Sequence, residues 1–129
     1  MSAPKPKRAS TPVQVKKLKD ELMRMRREVT DSRQRHRQLG DEIAEDRTGL
    51  DEGDVAWSAS TRELLFRASQ SEGDLVRQVD EALRRMDSRG YGVCVSCGEP
   101  ISARRLAAVP YATRCRDCQE KEEQGAGRA

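Results

Sequence analysis

The chain has 129 residues, of which 36% are charged and 3% aromatic, and its mean hydropathy is −0.89. That composition cannot fill a large globular core and suits long solvated helices with a narrow apolar seam, or disorder; no apolar run approaches the roughly 18 residues that would cross a membrane, and the N-terminus lacks the apolar core of a secretory signal, so a cytoplasmic protein is expected. The formal net charge of +3 conceals an asymmetry, because residues 1–40 carry 12 Lys/Arg against 4 Asp/Glu while residues 41–57 carry 7 acids and one base, Arg47.

Residues 1–11, rich in Pro, Lys, Ser and Ala, read as a disordered basic tail, and Pro12 stands near a plausible helix start. From Val15 the apolar residues recur at steps of three and four: Val15, Leu18, Leu22, Met25 and Val29. The register continues through Ser32, His36, Leu39 and Ile43, a heptad seam with two polar interruptions. This predicts a helix from about residue 12 to 46, roughly 50 Å long. His36, the only histidine, reads as a polar register-setting residue and not as a metal ligand.

A connection with an acidic character follows. It spans residues 47–53, or as far as 59, with Gly49 and Gly53 allowing the chain to turn. A second seam runs Leu65, Ala68, Glu72, Leu75, Val79, Ala82 and Met86, with one polar interruption. Its helix is expected to start at a capping box of Ser60 and Glu63, or at Asp54 as N-cap, and to end near Arg89, where Gly90 and Gly92 break the pattern. Each helix alone would expose its stripe, so the short connection predicts an antiparallel hairpin over residues 12–89 with an acidic tip at about 47–57. Trp57, the only tryptophan, is expected to pack at that tip, and Arg104 and Arg105 to be surface charges.

The four cysteines read C-x2-C, 17 residues, C-x2-C: Cys94, Cys97, Cys115 and Cys118. Two such turns complete a tetrahedron of thiolates, so one structural zinc ion is expected, with no open catalytic position. Disulfides fit poorly without a sign of export, and a redox pair fits poorly because the motif is doubled. The module over residues 90–124 is too small for a convincing core, so the metal is expected to supply much of its folding energy. Residues 125–129 read as a frayed end. The fold class expected is mainly α: a coiled-coil hairpin, a small four-cysteine finger and a short C-terminal helix.

The segment from Tyr91 to Glu120 resembles the zinc finger of the DksA/TraR family. The likeness lies in the cysteine spacing, the Cys97-Gly98-Glu99-Pro100-Ile101 turn and the Arg105-Leu106-Ala107-Ala108-Val109-Pro110 stretch. The hairpin before it fits the longer members, and Asp51-Glu52-Gly53-Asp54-Val55-Ala56 fits the family's D-x-x-D-x-A tip motif. The resemblance covers roughly residues 12–120. It implies a bacterial transcription regulator, monomeric, that binds RNA polymerase and inserts the hairpin into the secondary channel, without reading promoter sequence. Asp51, Asp54 and Ala56 would act at the tip, and the finger would orient the hairpin. Some members respond to guanosine tetraphosphate through basic residues. The matching positions here are Ser71, Gln78 and Gln119, none of them cationic, which calls such binding into question.

Two other functions stay open at this point. A zinc-ribbon nucleic-acid binder would use the basic arm, although the chain has few aromatics for stacking and an acidic tip. A transcript-cleavage stimulator would use the tip acids to hold a second magnesium ion. An enzyme in its own right is not expected, since no nucleophile–base pair stands out.

Overall fold

A computed structural model describes residues 12–46 and 51–126. The expected tail at 1–11, part of the acidic connection (47–50) and residues 127–129 lie outside the described residues. Four helices follow in order: α1 (Pro12–Glu45), α2 (Glu52–Asp87), α3 (Ala103–Ala108) and α4 (Arg116–Ala126). The residues fall into two compact units, one of residues 25–78 and one of residues 12–24 with 79–126.

The first unit is an antiparallel pair made by the C-terminal part of α1 and the N-terminal part of α2. Its direction follows from which residues meet: His36 faces Glu72, and Ile43 and Ala44 share a groove with Val55 and Ala59. The seam is narrow. Met25, Val29 and Ile43 on α1, and Leu65, Ala68 and Leu75 on α2, are half-buried. The predicted heptads therefore describe the packed faces, with one exception. Leu39 was expected on the seam and is 46% exposed.

The polar interruptions of the two seams find one another. His36 Nδ1 lies 2.7 Å from Glu72 Oε1, and Ser32 hydrogen-bonds the same carboxylate. Three polar side chains that would each cost free energy when half-buried alone are thus mutually satisfied. Such a pairing also specifies register, because a slipped hairpin would strand them.

The end of α2 falls near the expected Arg89, while its start lies before both expected caps. The helix starts at Glu52, so Ser60 lies within it and caps nothing, and Asp54 sits in its first turn with Glu52. The N-cap is Asp51. At the other end α2 stops at Asp87, two residues before Arg89. Arg89 itself takes the left-handed conformation, φ 64°, and the Gly90 N–H closes back on Arg85 O at 2.9 Å. The chain thus ends the helix with a left-handed arginine where a glycine would be less strained. Acids in the first turn and Arg84 and Arg85 in the last suit the helix dipole of α2.

The second unit is built on a small core of Cys94, Ile101, Leu106, Ala112 and Cys115. Leu18, from the N-terminal part of α1, packs against it together with Tyr91 and Val109. The finger borrows apolar surface from the first helix, which partly offsets its small size. Leu22, Val79 and Ala82 are also buried in this unit, at 0%, 0% and 1% exposure.

A C4 metal centre and an acidic helix start

The first cysteine pair sits on a tight turn. Cys94 N–H donates to Glu99 O at 2.9 Å, and Gly98 N–H returns to Cys94 O at 3.0 Å. Gly98 has φ +74°, a conformation that costs a residue with Cβ about 1–2 kcal/mol. An isolated antiparallel bridge between Val93 and Pro100 closes the loop. The second pair stands at the start of α4, where Gln119 N–H bonds Cys115 O. Val95 N–H donates to Thr113 O at 2.9 Å, which ties the two turns together.

All four sulfurs lie within 4.8 Å of one another, and Cys97 Sγ is 3.8 Å from Cys115 Sγ. A disulfide would need about 2.05 Å. A tetrahedron with zinc–sulfur bonds of about 2.3 Å has edges of about 3.8 Å. The donor set therefore fits one four-coordinate zinc ion with every position filled by thiolate.

The electrostatics agree. Burial would raise the Cys94 thiol, but the N–H groups of Cys115, Cys97 and Ser96 directed at its sulfur hold it down to about 6. The Cys118 N–H likewise lowers Cys115, against burial. Cys118 is pushed up to about 12, first by its hydrogen bond with the Cys115 thiol and then by burial. Four thiols so close cannot all ionise without a positive charge among them, and a bound dication provides it.

Two arginines brace the finger. Arg85, in the last turn of α2, donates to Gly90 O at 2.9 Å and to Val93 O at 2.6 Å. Arg105 Nε donates to Arg114 O at 2.9 Å, so the expectation of a surface charge fails there. Arg104 is exposed, as expected. Tyr91 OH donates to Pro110 O at 2.7 Å, and burial pushes its hydroxyl up to about 12. Neither Arg85 nor Tyr91 stood out in the sequence; an arginine in the last turn before a glycine was the available signal.

Asp51, Asp54 and Ala56 are all exposed at the start of α2. Asp51 Oδ1 accepts the Asp54 N–H at 2.8 Å, and Asp54 Oδ2 accepts the Asp51 N–H at 3.4 Å. This is a reciprocal capping box. Trp57, expected to pack, is 64% exposed. Ser71 and Gln78 are exposed on α2, and Gln119 on α4 donates to Glu123 at 3.1 Å.

A helical hairpin and a finger closed by four cysteines define a C4-type zinc-finger protein. Residues 89–124 match the prokaryotic dksA/traR C4-type zinc finger. The RNA polymerase-binding transcription factor DksA of Caulobacter vibrioides is 34% identical over 105 residues, which is 81% of this chain and 68% of that protein. An uncharacterized protein of Aquifex aeolicus is 32% identical over 111 residues, covering 86% of this chain and 74% of its own length. The solved structure of transcription factor DksA2 from Pseudomonas aeruginosa superposes with a TM-score of 0.77 at 30% identity, over 89% of this chain and 87% of that one. The chain belongs to the DksA/TraR family. Among the described residues no helix is long and apolar enough to cross a membrane.

Proposed function

We propose that this chain regulates transcription by binding RNA polymerase directly, with the start of α2 inserted into the secondary channel to modulate initiation. Kinship supports the partner: the Caulobacter relative is an RNA polymerase-binding transcription factor. The observation that carries the tip assignment is the Asp51–Asp54 pair, exposed yet held by two backbone hydrogen bonds. Each carboxylate uses one oxygen on the cap, which leaves the other for a cationic group of a partner. Asp51, Asp54 and Ala56 act on the polymerase, and the zinc finger with its arginine braces holds the fold that presents them. The chain acts by binding and not as an enzyme.

Guanosine tetraphosphate has no part in this proposal at the positions the family uses. Ser71, Gln78 and Gln119 carry no charge for a polyphosphate. The test is co-purification of the full zinc-loaded chain with core RNA polymerase, followed by competition with a known secondary-channel factor. Displacement by that factor is expected. Stable binding that the competitor does not disturb would overturn the channel assignment.

A further inference from the structure

Beside the seam of the hairpin, α1 and α2 line an open groove of about 680 Å³. Three guanidinium groups line it: Arg33 and Arg37 from α1, and Arg62 from α2. Neighbouring arginines are paired along their own helices. Arg24 pairs with Glu21, Arg67 with Glu63, Arg77 with Asp74 and Arg84 with Glu81. No acid stands three or four residues from Arg33 or from Arg62, and no ion pair joins either to another described residue. Arg37 has Asp41 four residues on, and Arg33 and Arg37 are themselves four residues apart on one face, a like-charge pair that disfavours the helix.

Two further features bear on these side chains, one beside the groove and one within it. Gly73, inside α2, leaves the space that the Arg33 guanidinium occupies; a Cβ there would meet Arg33 Cζ at 2.9 Å. A glycine in mid-helix weakens the helix, and here it seats an arginine whose buried Nε has no acceptor among the described residues. Phe66, which also lines the groove, is 63% exposed, a large ring that the hairpin core does not use. The acids in the groove are Glu63, already paired with Arg67, and Asp41. His36 is turned to Glu72.

We propose that this groove binds a nucleotide, its phosphates on Arg33, Arg37 and Arg62 and its base on Phe66. Planar guanidinium forks match phosphate oxygens, and an exposed aromatic ring gives a base a stacking face. The site lies on the helices and does not depend on the channel assignment above.

The probes are ATP and inorganic tripolyphosphate, titrated calorimetrically into the full zinc-loaded chain. Both are expected to bind, ATP more tightly. The double variant Arg37→Gln/Arg62→Gln removes two exposed charges and is expected to weaken both by about tenfold or more with an unchanged melting temperature. The control Arg77→Gln/Arg84→Gln removes the same charge away from the groove and is expected to change binding little. Phe66→Ala is expected to bring ATP to the affinity of tripolyphosphate. No binding of either probe, equal losses in both double variants, or ATP binding indifferent to Phe66→Ala would overturn the proposal.

Discussion

Asp51 and Asp54 cap one another: each side chain accepts the backbone N–H of the other, at 2.8 Å and 3.4 Å. The D-x-x-D spacing of the tip motif is thus also the spacing of a capping box. Fold and function draw on the same two carboxylates, and substitutions must separate them.

Asparagine keeps an oxygen to accept an N–H while removing the charge. Asp54→Asn is therefore expected to keep the fold and most polymerase affinity and to lose most control of open-complex lifetime. Asp51→Asn should behave similarly, whereas Asp51→Ala should also fray the first turn of α2, at a cost of about 1 kcal/mol. Binding and open-complex decay measured on the same variants decide this. An Asp54→Asn chain that regulates like the parent would leave Asp54 with only its capping role.

Glu72 sets an acid-side limit to hairpin stability. Burial would raise its carboxyl, yet hydrogen bonds from Ser32 and His36, with the nearby charges of His36 and Arg35, hold it below the ordinary glutamate value of 4.5. A carboxylate depressed in the folded state contributes stability that is full above its unfolded pKa and is lost as pH falls through the folded value. The chain should lose stability below about pH 4.5. Glu72→Gln, which does not titrate, should flatten that part of the profile. Thermal melts of the two chains from pH 7 to pH 3 provide the comparison; parallel curves would mean that Glu72 contributes nothing to the slope.

Much of this arrangement was legible in the sequence because it depends on spacing. The seam positions and the cysteine tetrad are periodic or paired signals, and helices and a closed zinc site follow from them. Ser32, His36 and Glu72 were visible as interruptions, but that they meet depends on how the two helices align, which one strand of text does not state. The start of α2 stays open between Ser60 and Asp54 in the sequence, because Ser60 and Glu63 satisfy the capping pattern as well as Asp51 and Asp54 do; the structure begins the helix at Glu52, close to the second choice. The choice between them rests on how early the chain can turn back. Arg105 reads as a surface charge and Arg85 does not stand out at all, since their acceptors are backbone carbonyls, to which residue identity gives no clue.

Gly73 offers a test of packing against propensity. Alanine in mid-helix is favoured over glycine by about 0.5–1 kcal/mol. Its Cβ would meet only the end of the flexible Arg33 side chain, at 2.9 Å from Cζ, so the guanidinium must shift to admit it. Gly73→Ala should therefore raise hairpin stability by up to that amount in denaturant melts. A clear loss would show that the seat of Arg33 is rigid.

Metal removal should divide the molecule. The finger core contains two of its own ligands, Cys94 and Cys115, buried at 1% and 3% exposure, beside Ile101 and Leu106. Without the ion, four close thiols cannot all ionise, and the turns lose the bonds that order them. A structural zinc site contributes on the order of 10 kcal/mol, more than a core of five residues can replace. Chelation, or Cys94→Ser or Cys115→Ser, should unfold residues 91–124 and release Leu18, which packs on that core. The seam of residues 25–78 has its own contacts, including the His36–Glu72 pair, and should persist. Hydrogen exchange on holo and chelated protein reads both regions at once, with metal analysis of the purified chain giving one zinc per molecule. Protection at Ile101 and Leu106 that survives chelation would show that the finger holds without its metal. Loss of protection at both Leu106 and Leu75 would show that the hairpin depends on the metal as well.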